Sequence, residues 1–243
     1  MTDIHSNPSF SRDIRLYSHS GLCNRLRLIA EYKHLSDIEN KTIQMFWVKS
    51  KQCNSLFKDL FKPIPNIKFT YLDKANRPKN TAQKLELFPH PLLIKQKNHL
   101  IFEPVDSIMN SINTIKDRIG EEYVACHVRR TDIITIQNKR NVIPPEDSLF
   151  DDFVEKHPSY SIFLATDNQD TQQRFIKRFG RRLHVATSIS GNGSVRWPTR
   201  TTSIEEAVVD LFVCVGAKDF LGTECSSFST FIDNCKAAKN GQS

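Results

Sequence analysis

The sequence predicts an α/β protein with parallel sheets, divided into two halves that face each other across a cleft. Three observations carry this. Short apolar runs such as Tyr123–Val128 (YVACHV) and Ile43–Val48 (IQMFWV) have the length and β-branched or aromatic content of buried strands. Between them lie stretches of helical periodicity, and strands alternating with helices of that length imply βαβ units around a parallel sheet. Finally, a break near Glu103–Ser107 separates two such alternating series.

Taken in order, Ile14–Tyr17 reads as a strand and Ser18–Gly21 as a turn. A helix follows over Asn24–Leu35, its rough apolar face made by Leu26, Leu28, Ile29 and Tyr32, with Arg25 and Arg27 near its start. Ile43–Val48 is a second strand, Leu56–Phe61 a short helix and Ile67–Leu72 a third strand. Asp73–Asn98 is rich in Pro, Lys and Asn and carries no clear pattern, and Leu100–Phe102 reads as a further strand. Ile108, Ile112, Ile115 and Ile119 give Ser107–Ile119 a helical stripe leading into strand Tyr123–Val128. The alternation then continues with helix Glu146–Lys156, strand Tyr160–Ala165, helix Gln169–Phe179 and strand Leu183–Ala186. A glycine-bearing loop Ser188–Arg200, helix Ser203–Cys214, short strand Phe220–Leu221 and helix Phe228–Lys239 complete the chain.

The 243 residues suffice for one large domain or two small ones, with the 39% apolar and 25% charged content of a globular chain. Lys plus Arg number 34 against 27 Asp plus Glu, and the resulting +7 favours anionic partners such as phosphates, nucleotides or nucleic acid. The sequence holds no run of eighteen apolar residues, so no transmembrane helix is expected. The polar start Met1–Phe10 lacks a signal-peptide core, so the expected location is the cytosol. Cysteines at 23, 53, 126, 214, 225 and 235 show neither CxxC pairing nor zinc-ligand spacing and read as free thiols. His19, His90, His99 and His157 read as loop or surface histidines, and Trp47 as core.

Ligands of parallel sheets bind at the carboxyl ends of strands. One strand ends in His127-Val-Arg-Arg-Thr-Asp132, where a guanidinium fork suits phosphate oxygens, or where a surface basic pair simply has Asp132 as partner. Another ends in Thr166-Asp167-Asn168, a carboxylate for ribose or base, or a helix cap. A third ends in Gly222-Thr-Glu-Cys-Ser-Ser-Phe-Ser229, where a helix N-terminus offers free N–H groups to an anion, or a plain cap. The Ser188–Arg200 loop adds Trp197, a candidate to pack on a base or sugar.

His127-Val-Arg-Arg-Thr-Asp132 resembles the HxRRxD signature of the α1,6- and α1,2-fucosyltransferases and protein O-fucosyltransferases. The later succession is similar to that of the α1,6 enzymes: Ala165-Thr-Asp167, Ser188-Ile-Ser190, Arg200, the apolar helix with Asp210, and Ser226–Ser229. Gly21-Leu-Cys-Asn-Arg-Leu26 resembles the turn that opens the N-terminal half in the same superfamily. The resemblance covers residues 120–235 and one N-terminal patch. It implies a GT-B-like enzyme with two facing Rossmann-like halves, residues 1–105 on the acceptor side and 106–243 on the donor side. It also implies an inverting transfer without metal or resident cofactor. The donor would be a nucleotide diphosphate sugar, by default GDP-fucose, and the acceptor a hydroxyl of an oligosaccharide or glycoprotein.

By position, Arg129 would bind the β-phosphate, Arg130 would support it or hold the fold, and Asp132 would complete the catalytic group as an arginine's partner. His127 and Asp167 match positions that recognise guanine. Ser226, Ser227 and Phe228 fall where the pyrophosphate is cradled, Ser188 and Arg200 join the donor set, and Asn24 and Arg25 would reach in from the other half. The segment Ile133–Asn141 departs from the family by lacking its glutamate. That leaves the base open, with Asp73 one candidate, and admits another donor such as UDP-xylose. A nucleic-acid binder, drawing on Lys177-Arg-Phe-Gly-Arg-Arg182 and Lys139-Arg140, is the alternative of another class. Its charges are spread rather than striped and no zinc-finger or RNA-recognition signature accompanies them. A nucleotide-sugar-binding protein without transferase activity is the third reading.

Overall fold

The computed structural model of the chain describes residues 13–72, 99–143, 145–189 and 202–241. It contains two sheets, both parallel. The first joins β1 (Ile14–Ser18), β2 (Ile43–Val48) and β3 (Ile67–Leu72) in that order. Parallel neighbours need a crossover, and α1 (Leu22–Glu39) supplies the one from β1 to β2. α1 ends where Asn40 takes a left-handed conformation at φ 50°, which asparagine tolerates better than most residues.

In the second sheet the order is β6-β5-β4-β7, from β4 (Tyr123–Val128), β5 (Ser161–Thr166), β6 (Leu183–His184) and β7 (Asp219–Gly222). α2 (Asp106–Ile119) precedes β4, and α3 (Ile133–Lys139) and α4 (Asp147–Glu155) lead to β5. α5 (Gln169–Phe179), α6 (Ile204–Gly216) and α7 (Ser227–Asn240) follow. β4 lies between β5 and β7 with all six residues buried, so its sequence is apolar on both faces rather than alternating. Val124, Cys126 and Val128 pack with Phe150, Val154 and Phe175, while Tyr123 and Ala125 turn to the opposite side. That opposite side is the one His127 shares.

Several expectations change. Residues 133–139, read only as a segment departing from the family, form α3, whose Gln137 is buried and donates to the Glu224 carbonyl at 3.1 Å. Leu100–Phe102 is not a strand: His99–Ile101 makes one 3₁₀ turn, and the Leu56–Phe61 helix shrinks to a 3₁₀ turn at Phe57–Asp59. His99 is buried rather than on the surface, its ring edge-on to Phe231 at 5.2 Å. Trp47 is core, and all six cysteines are free. His90, Asp73, Trp197 and Arg200 lie outside the described residues.

The halves share one hydrophobic core. Phe57 stacks on Phe69 at 4.0 Å and packs against Phe61 at 5.2 Å. Phe61 then meets Phe102 at 5.7 Å and Phe212 of α6 at 6.3 Å, and Phe102 meets Phe231 of α7 at 5.8 Å. Residues 103–105 pair back onto the first half, Lys62 donating to the Glu103 carbonyl at 2.8 Å and Val105 to that of Leu60 at 3.1 Å. α2 then packs along α6. Among the described residues no helix is long and apolar enough to cross a membrane.

Candidate active site

Beyond the carboxyl ends of β1 and β4, the two halves enclose a cavity of about 540 Å³. The first half lines it with the turn and start of α1 (Gly21, Leu22, Cys23, Asn24), then Arg27 and Gln52. His127, Arg129, Thr131, Asp132 and Asp167 line it from the second half, with Ser227 and Phe228 at the start of α7. Neither α1 nor α7 has a side-chain cap hydrogen bond on its first turn. Both helices thus open on the same space with the positive end of the dipole toward it.

The turn after β4 is held from β5 and β7. The Arg130 N–H donates to Asp167 Oδ1 at 2.9 Å, and the Thr131 hydroxyl donates to Asp167 Oδ2. The Arg129 N–H donates to Thr223 Oγ1 at 2.9 Å. These bonds send the two arginines apart. The Arg129 guanidinium lies in the cavity, 2.6 Å from Asp132 and 3.5 Å from Asp167. Arg130 is not among the cavity-lining residues. Its guanidinium turns to Asp147 at 2.7 Å and lies over the Phe150 ring at 5.7 Å. Of the two roles the resemblance allowed Arg130, this position suits holding the fold.

His127 is fixed by a 2.8 Å hydrogen bond between Nδ1 and Ser229 Oγ, and its ring packs against Phe228 at 4.5 Å. The close approach of β7 to α7 depends on Gly222, where a Cβ would lie 2.5 Å from Ser229 Cβ. Cys225, also on the cavity wall, adopts a left-handed φ of 61° in the turn before α7.

Three other expected residues stand elsewhere. Arg25 is fully buried, donating to the Ser20 carbonyl at 2.6 Å and to Ser50 Oγ at 3.1 Å, with its guanidinium 4.6 Å over Trp47. The arginine of α1 that reaches the cavity is Arg27, three positions after Asn24 and so on the same helical face. Ser188 is exposed and off the cavity wall, and Ser226 is buried behind it as the first residue of the α7 turn. Sequence reasoning also missed Gln52, Arg140 and Cys225 on the wall. Asp210, noted only as part of the family succession, lines it from α6. The 3.6-residue period sets Arg27 and Arg25 about 200° apart around a helix, so the two could not both meet the cavity, but it does not say which one does. No three His, Cys, Asp or Glu side chains gather among the described residues in a way that would hold a metal ion.

No protein-family model and no curated protein sequence matches the chain. Solved structures do match. The NodZ α1,6-fucosyltransferase soaked with GDP-fucose superposes with a TM-score of 0.56 at 12% identity, covering 91% of each chain. Fucosyltransferase NodZ from Bradyrhizobium gives 0.58 at 11% identity over 91% of this chain and 92% of that one. A mutant of Arabidopsis thaliana FUT1 in complex with GDP gives 0.51 at 10% identity over 92% of this chain and 68% of that one. The likeness is one of fold. The chain shares the GT-B-like α/β architecture of these fucosyltransferases, with parallel sheets.

Proposed function

We propose that the chain is an inverting, metal-independent glycosyltransferase. It would move a sugar from a nucleotide diphosphate, GDP-fucose first among donors, to a hydroxyl of an oligosaccharide or glycoprotein. Residues 1–105 would form the acceptor side and residues 106–243 the donor side. The observation that carries this reading is the Arg129 guanidinium. It is held by two carboxylates at a strand's carboxyl end, in a cavity that also receives the uncapped start of α7. The fold shared with enzymes solved with GDP and GDP-fucose supports it.

Transfer breaks the bond between the sugar's anomeric carbon and the β-phosphate as the acceptor oxygen bonds to the opposite face. The hydroxyl passes its proton to a general base, and the diphosphate leaves with the bonding electrons. Charge therefore grows on the diphosphate in the transition state, and preorganised donors aimed at it lower the barrier without a metal. Arg129 and the N–H groups opening α7 are such donors. Asp132 fixes the guanidinium and acts as a positioning residue. The adjoining rings of His127 and Phe228 make a wall suited to the face of a base.

Calorimetric titration with GDP and UDP in the presence of EDTA tests the reading. GDP should bind, Arg129→Ala should abolish the binding, and transfer from GDP-fucose should fall about 100- to 1000-fold. Preference for UDP would change the donor, with UDP-xylose the next to try. Failure of the wild-type chain to bind either nucleotide would overturn the reading.

A further inference from the structure

We infer that Arg27 is the residue by which the N-terminal half recognises the donor's diphosphate, with Arg140 as its counterpart on the other half. This rests on the nucleotide-sugar reading of the cavity. Among the described residues, three guanidiniums (Arg27, Arg129, Arg140) and three carboxylates (Asp132, Asp167, Asp210) line the space. Arg129 is not surplus charge. With Asp132 at 2.6 Å and Asp167 at 3.5 Å, its cluster is net negative. A diphosphate approaching Arg129 would meet both carboxylates as well, so the attraction that draws it in has to come from guanidiniums not engaged in this way.

Arg27 is such a group. Its Nε is buried, with no hydrogen-bond partner among the described residues. The partly buried guanidiniums of Arg129, Arg130, Arg174 and Arg182 are each held by a carboxylate or a backbone carbonyl. A shielded, unpartnered charged donor is costly unless something completes it. Arg27 also shares its helical face with Asn24, just past the first turn of α1, so its fork and the positive end of that helix's dipole converge on one space. The planar fork suits two phosphate oxygens at once. Arg140, exposed just beyond α3, borders the same cavity from the second half. A diphosphate held by both would tie the two halves together.

Calorimetry on the full chain with GDP, GMP and guanosine tests this. Arg27→Gln should weaken GDP by about 10- to 100-fold while changing guanosine little, and should lower the salt dependence of GDP binding. Arg140→Gln should act in the same direction, less strongly because it is exposed. Should Arg27→Gln fail to fold, Arg27→Lys decides, since it keeps the charge and loses the fork. A selective loss of GDP affinity supports the assignment, and unchanged affinity overturns it. Equal losses for GDP and guanosine would also overturn it, marking Arg27 as structural. If wild type binds GDP and the Arg27 variants match it, the clamp falls and the nucleotide-sugar reading stands. If wild type binds neither GDP nor UDP, both fall.

Discussion

Asp167 commits both carboxylate oxygens to the turn after β4, and that geometry separates the chemistry of two adjacent arginines. The sequence marked the pair but not which member faces the cavity, because direction there is set by hydrogen bonds to Asp167 and Thr223, 37 and 94 residues downstream of the arginines whose N–H groups they accept. Asp167→Asn would keep the shape while weakening the hold on Arg129 and on the Thr131 hydroxyl. The expected result is a large fall in transfer and a stability loss of about 1–3 kcal/mol in urea unfolding, as for a charged hydrogen-bond group. Unaltered transfer would show that the turn does not depend on that charge. Cys225 offers a second handle. Burial pushes the thiols of Cys126 and Cys214 well up and that of Cys235 to about 12, and Cys23 and Cys53 are also buried. Cys225 alone of the six is not buried, and it sits on the cavity wall. One thiol should therefore react quickly with a disulfide reagent, and bound GDP should slow it in proportion to occupancy. Reaction at an unchanged rate under saturating GDP would mean that nucleotide does not fill this cavity.

The contact of β7 with α7 depends on a missing side chain. A Cβ at Gly222 would press on Ser229, the partner of His127, at 2.5 Å from its Cβ and 2.6 Å from its Oγ. Gly222→Ala should therefore cost about 1–3 kcal/mol by overpacking and displace the first turn of α7. Nucleotide affinity should fall with it, and retention of wild-type affinity would show that the turn tolerates the shift. At this scale most helices were legible. α2 announces itself by four isoleucines three to four residues apart, and for α6 the structure adds a capping box between Ser203 and Glu206. α3 was not recognised as a helix. Its seven residues include β-branched Ile133, Ile134, Thr135 and Ile136, a composition as suited to strand as to helix.

Across the whole molecule, one aromatic ladder from Phe57 through Phe61 and Phe102 to Phe231 crosses between the sheets. Two separately folding domains would each need a closed core, whereas here the larger of the two buried clusters runs through both halves and the smaller one lies within the second. Phe61→Ala should cost about 3–5 kcal/mol and lower one shared unfolding transition, seen alike by far-ultraviolet circular dichroism and by tryptophan fluorescence in a Trp197→Phe background, which leaves Trp47 as the reporter. Separate transitions for the two probes would show that the halves unfold independently. The sequence by itself determined the α/β class, the parallel sheets and the strand ends that border the cavity. Those follow from periodicity and from backbone hydrogen bonding, which are local. Tertiary structure alone decided that Arg27 and not Arg25 meets the cavity, that Arg130 turns away, and that both helix starts face one space. Each of those depends on which distant surface a side chain finds opposite it, and helix periodicity narrows that choice without making it.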